Sequence, residues 1–256
     1  MLVLALAAAA CVDDVDVGRW KCATSTGKPP ALDAGGASVT DLMAVPWGTG
    51  FEDGFCDYAA VHGFCYSNTE ATYDIVTSPV HSGKRAAAFR VSSDAAKDAR
   101  QARCVREGAL PSEATYGAWF YVPASATNGD NWNLMHFQYG DPDAPTKVWD
   151  VSLGNAADGS LYLYLYDSKR TMVRTPKSPP KVPIGSWFHV EFYWRHATDT
   201  SGEVTLFQDG EQTLDVKNIS TSDTPPARWY VGDLVDALDP PDSTIYVDDV
   251  AIRAGN

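Results

Sequence analysis

The residues of this chain best suited to chemistry lie on short segments that alternate between apolar and polar side chains. In the run LYLYLYD, Tyr162, Tyr164 and Tyr166 share one face while Leu161, Leu163 and Leu165 share the other. In Leu134–Tyr139, His136 and Gln138 alternate with Met135, Phe137 and Tyr139; in Val148–Leu153, Asp150 and Ser152 alternate with Trp149, Val151 and Leu153. Further upstream, Gln101, Arg103 and Glu107 face away from Ala102, Cys104 and Arg106. If these segments are neighbouring strands, one sheet face gathers Gln101, Arg103, His136, Gln138, Asp150 and the tyrosine ladder. Aromatic planes flanked by amides and charges suit pyranose rings, which offer an apolar C–H face and a rim of hydroxyls. Tyrosine is also a favoured strand residue on any half-exposed face. Three in strict alternation with leucine exceed what a sheet needs, so glycan binding is the reading adopted.

The elements that must position these residues are strands. From Gly185 to Val216 the period-2 alternation of Phe188, Val190, Phe192 and Trp194, the polar connection ending at Gly202, and the Asp209-Gly210 turn signal predict three antiparallel strands in series. Such a meander has one apolar face and needs a second sheet over it. Period-2 segments recur at Tyr73–Val76, Arg85–Val91, Tyr116–Val122, Trp229–Leu234 and Ile245–Ile252, separated by Gly, Pro, Asn and Asp turns, with no convincing helix. The expected fold is all-β, a two-sheet antiparallel jelly-roll sandwich.

The 256 residues carry a formal net charge of -13, which argues against nucleic acid as a partner. Two basic stretches stand out: Lys97, Arg100, Arg103 and Arg106, then Lys169, Arg170, Arg174, Lys177 and Lys181. The second follows the tyrosine segment and is either a solvated loop or an acidic-sugar subsite. The first eleven residues are an apolar run ending in Cys11, too short to span a bilayer and of signal-peptide size. Ala8, Ala9 and Ala10 before Cys11 resemble the processing site of bacterial lipoproteins, which implies a lipidated Cys11; an ordinary secretory signal is the alternative. Residues 12–48 read as a flexible tether and 49–256 as the jelly-roll domain. The remaining cysteines, Cys22, Cys56, Cys65 and Cys104, suit an oxidising compartment; Cys56 with Cys65 closes the shortest loop, leaving Cys22 for Cys104. The expected protein is exported, membrane-associated only through its lipid, and monomeric.

Hydrolase, nucleotide and zinc-protease motifs are absent, as is the paired-carboxylate strand motif of several glycoside hydrolases. FEDGF, VTSPVHSGKRAAAFRV, GSWFHVEFYWR with VTLFQDGE, RWYVGDL and TIYVDDVAI resemble the concanavalin A-like jelly rolls of carbohydrate-active proteins, and most closely the polysaccharide-lyase-like branch. The resemblance covers Phe51 to Arg253. It implies a carbohydrate-binding protein or, alternatively, a lyase that cleaves a uronate-containing polysaccharide by β-elimination; a non-catalytic surface protein is the third reading. For a lyase it implies Arg103, His136 and Gln138 with a phenol, Tyr164, Tyr162 or Tyr230, as the catalytic set. His136 precedes Gln138, the reverse of the order in alginate lyases of this fold, and Leu234 and Val235 stand where those enzymes carry a tyrosine. Related sandwiches also hold a structural Ca²⁺ where first and last strands meet, which singles out Glu52, Asp53, Asp248 and Asp249; turn capping by these acids is the equal alternative. No other cofactor is required.

Overall fold

The computed structural model describes residues 46–255, except 60–62, 69, 94–98, 107–109, 142–143 and 223–226. The lipidation candidate Cys11, the cysteine Cys22 and the tether up to residue 45 lie outside the described residues. Within them, the alternating segments form two antiparallel sheets packed face to face. The first sheet contains β1 (Trp47–Thr49), β3 (Ala71–Val76), β4 (Ala86–Ser92), β6 (Glu113–Tyr121), β11 (Trp187–Arg195), β12 (Gly202–Gln208), β13 (Glu211–Ile219) and β15 (Asp242–Ala254). The second contains β2 (Phe64–Ser67), β5 (Arg100–Arg106), β7 (Thr127–Asp141), β8 (Ala144–Asn155), β9 (Leu161–Asp167), β10 (Met172–Arg174) and β14 (Ala227–Asp239). One short helix, α1 (Cys56–Ala59), departs from the all-strand expectation.

The strand order is β13-β12-β11-β6-β15-β4-β3 in the first sheet, with β1 added on β15, and β10-β9-β8-β7-β14-β5-β2 in the second. The predicted meander is β11–β12–β13, at one side of the first sheet; its tight turn places Asp209 and Gly210 at φ 53° and 79°, the left-handed conformations that an Asp-Gly hairpin supplies. Alternation then buries one face of each sheet. Phe137 packs on Phe192 at 4.6 Å and edge-on to Tyr116 and Trp194 between the sheets. The opposite face of the second sheet is left for Gln101, Arg103, His136, Gln138 and the tyrosines.

The cysteines pair differently from the expectation. Cys65 is bonded to Cys104, not to Cys56, and Cys104 is therefore not bonded to Cys22. Cross-strand register outweighs loop length: Cys65 of β2 stands directly opposite Cys104 of β5, with Cα atoms 3.9 Å apart. Cys56, which opens α1, is disulfide-bonded as well.

Behind the second sheet, Asp233 is fully buried, accepting hydrogen bonds from the Trp132 indole N–H at 3.2 Å and the Ser243 hydroxyl at 2.7 Å. Burial pushes its carboxyl from 3.8 up to about 7. The folded protein therefore binds more protons than the unfolded chain across that window, and stability falls as pH rises through it. Asp233→Asn, which stays neutral, is expected to remove this fall: its Tm relative to the parent should rise from acidic pH to pH about 7 and level off above. A Tm difference independent of pH would refute the assignment.

Candidate active site

The site is built by register across β5, β14, β7 and β8. Tyr230 of β14 pairs with His136 of β7, which pairs with Asp150 of β8; on the other side of β14, Gly232 pairs with Arg103 of β5, which pairs with Tyr66 of β2. The side chains meet accordingly. The His136 ring lies edge-on to Tyr230 with centroids 5.1 Å apart, and the Arg103 guanidinium sits over the same phenol ring at 4.7 Å. Tyr230 donates its hydroxyl proton to the Gln138 Oε1 at 3.3 Å. Arg103, His136, Gln138 and Tyr230 thus converge on one face.

His136 is oriented from behind. Its Nδ1 lies 2.6 Å from the Asp150 Oδ1, which also accepts from the Asn133 amide at 2.9 Å. A carboxylate facing Nδ1 favours the tautomer that carries the proton there and leaves the Nε2 lone pair for another proton. Asn133 is buried and also donates to the Met135 carbonyl, fixing the carboxylate's position. Burial pushes the Tyr230 phenol above its ordinary pKa, against the hydrogen bond and charge of Arg228, so Tyr230 keeps its proton at neutral pH.

Arg103 is only 5% exposed, yet among the described residues it has no acidic partner. Its Nη2 donates to the Tyr66 hydroxyl at 3.2 Å and to Gln101 Oε1, while Nε and Nη1 are buried without a protein acceptor. A buried guanidinium is costly unless an anion or acceptor meets it, which makes the unpartnered nitrogens of Arg103 the least satisfied part of this cluster. Gly232 makes the placement possible: a Cβ there would lie 2.8 Å from the Arg103 Cα and 2.5 Å from the Ala102 carbonyl oxygen, and its φ of 146° disfavours other residues.

The tyrosine ladder borders this cluster. Tyr162, Tyr164 and Tyr166 alternate with buried Leu161, Leu163 and Leu165 in β9, with the Tyr162 and Tyr164 rings 6.4 Å apart. Tyr162 lies over Gly154, where a Cβ would come within 2.8 Å of its ring. Tyr164 is a correction as a catalytic candidate: it sits opposite Ser152, two strands from His136, and no hydrogen bond or ring contact among the described residues joins it to Arg103, His136 or Gln138. Tyr230 is the phenol at the cluster. Tyr164→Ala is expected to weaken glycan binding by about 1–3 kcal/mol without unfolding the chain, as titration calorimetry with an oligosaccharide would show. Unchanged affinity would remove the ladder from the binding face.

The polysaccharide lyase family profile matches residues 47–251, which carry all of these strands and side chains. The chain belongs to this polysaccharide lyase family. No curated protein matches it. Among solved structures it is similar to an endo-β-1,4-glucuronan lyase from the fungus Trichoderma reesei, with 17% identity, a TM-score of 0.57 and coverage of 75% of this chain and 90% of that one. It is also similar to the cellulose induced protein Cip1, at 12% identity and TM-score 0.57 over 82% and 99% of the two chains. The alginate lyase Aly36B is a third, at 12% identity and TM-score 0.53 over 84% and 99%. At such identities these likenesses carry the jelly-roll fold, and the family match favours the lyase alternative over the binding-module reading.

Several members of this cluster escaped sequence reasoning. Tyr66 sits in a four-residue strand with too little alternation to read, and Asn133 and Arg228 gain their places only through register. The candidate calcium acids, meanwhile, meet N–H and O–H donors. Asp248 Oδ2 accepts from the backbone amides of His81 and Ser82 at 3.0 and 3.1 Å, Asp249 contacts the His81 Nδ1 at 2.7 Å, and Glu52 Oε1 accepts from Lys84 and Arg85. First and last strands do meet, β1 on β15; Asp53 is exposed, and no group of three or more His, Cys, Asp or Glu side chains clusters among the described residues. The second basic stretch is largely partnered: Arg170 and Arg174 both reach buried Asp167, at 2.8 and 3.1 Å, and Lys181 reaches Asp158 at 2.7 Å.

Proposed function

We propose that this protein is a polysaccharide lyase that cleaves a uronate-containing glycan by β-elimination. The observation that carries the reading is Arg103, a buried cation with no acidic partner among the described residues, placed against the one phenol ring that also touches His136. Elimination requires three things at adjacent atoms: neutralisation of the C5 carboxylate, removal of the C5 proton, and protonation of the oxygen leaving C4. Arg103 meets the carboxylate and stabilises the charge that builds on it. His136 takes the C5 proton on Nε2, the electron pair forms the C4–C5 double bond, and the C4–O bond breaks. Tyr230, kept protonated by burial, gives its proton to the leaving oxygen, with Gln138 and Arg228 beside its hydroxyl. The tyrosine ladder holds the neighbouring sugars.

His136 and Tyr230 rise from adjacent strands of one sheet face, so base and acid address the sugar from the same side. That arrangement suits residues whose C5 hydrogen and C4 oxygen lie on one side of the ring, glucuronate and mannuronate, over guluronate and galacturonate, in which they are opposed. The disulfide further supports an exported protein working in an oxidising compartment. A panel of polyglucuronate, polymannuronate, polyguluronate, polygalacturonate and neutral glucans, followed by the ultraviolet absorbance of the unsaturated uronate, tests the reading. Absorbance should grow with the first two only. Binding without absorbance on any of them would return the protein to the class of glycan-binding modules.

A further inference from the structure

Catalysis as proposed depends on where the Arg103 guanidinium rests, and the residues that fix it lie partly on the edge strand β2. Tyr66 of β2 stands opposite Arg103 in the β2–β5 register, next to the bonded pair Cys65 and Cys104. Its hydroxyl donates to Gln101 Oε1 at 3.0 Å and accepts from Arg103 Nη2 at 3.2 Å, while Gln101 Oε1 accepts from the same Nη2. The three groups close a triangle on a single nitrogen. Gln101 is itself tied back, its backbone N–H donating to the Asn68 side-chain oxygen at 2.9 Å.

We propose that Tyr66 is a positioning residue for Arg103, and that the Cys65–Cys104 bond keeps it in place; this rests on the reading that Arg103 meets a uronate carboxylate. An arginine side chain has several rotatable bonds, and freezing them before the ligand arrives spares that entropy on binding. Here the phenol face of Tyr230 holds the guanidinium from one side, and the Tyr66–Gln101 pair holds Nη2, leaving Nε and Nη1 without protein acceptors. β2 has four residues and only β5 as a hydrogen-bonded neighbour, so backbone pairing alone anchors it weakly. A covalent link one residue from Tyr66 compensates. Tyr66 touches no reacting atom in this scheme; it acts through Arg103.

The test measures binding in a His136→Ala background, so that bound chains are not cleaved. Calorimetry compares a glucuronate oligosaccharide with its carboxyl-reduced, neutral counterpart. A preference for the charged ligand that Arg103→Ala abolishes and Tyr66→Phe lowers about tenfold, the scale of one hydrogen bond to a charged group, supports the proposal. The neutral ligand should bind the Tyr66→Phe protein as before, which a merely structural role for Tyr66 would not give. Cys65→Ala/Cys104→Ala should lower the same preference, with little further loss on adding Tyr66→Phe. If Arg103→Ala abolishes the preference and Tyr66→Phe leaves it intact, the positioning role is overturned while the Arg103 reading stands. If Arg103→Ala itself changes nothing, the carboxylate reading fails and the proposal with it.

Discussion

His136→Ala is expected to lower kcat on polyglucuronate by about 10²–10⁴-fold, the usual contribution of a positioned general base. Substrate binding should change far less, because the aromatic ladder and Arg103 remain. The expectation follows from the chain Asn133–Asp150–His136, in which a buried amide fixes a carboxylate and the carboxylate fixes the imidazole, whose ring lies edge-on to Tyr230. Rapid-mixing kinetics that separate binding from elimination would check it. A variant that retains the parent's kcat would show that another group takes the C5 proton.

Arg103→Ala should cost about 10²–10³-fold in kcat/KM, the range found when one electrostatic stabiliser of a developing oxyanion is removed. Arg103→Lys should recover little of it. A lysine carries the charge but not the planar fork that rests on the Tyr230 face and engages Tyr66 and Gln101 through one nitrogen. Steady-state kinetics of the two variants side by side decide the point: full activity in the lysine protein would mean that charge alone is needed.

The fold was largely legible because alternation is a local property. Each leucine of LYLYLYD and each apolar residue of the Phe188–Trp194 series reports its own burial, and the structure places them in the core as read. The site was legible only where it sits on such strands: Arg103, His136, Gln138 and Asp150 share a face because their strands alternate. What alternation does not carry is register between strands distant in sequence. Tyr230 rather than Tyr164 joins His136 because β14, not β9, adjoins β7. Cys65 meets Cys104 through the β2–β5 pairing, which a count of intervening residues does not reveal, and Tyr66 arrives beside Arg103 by the same pairing. Nor does sequence show the donors that meet the last-strand acids, the His81 and Ser82 amides on Asp248 and the His81 ring and Ser82 hydroxyl on Asp249.

The central claim is that this sheet face breaks a glycosidic bond by elimination, and the mass of the product tests it most directly. Polyglucuronate digested with the intact protein should yield oligosaccharides whose new non-reducing ends are each lighter by one water than hydrolysis would leave them, and the His136→Ala and Arg103→Ala proteins should yield almost none. Products that carry the water, or a chain that binds and stays whole, would contradict the account.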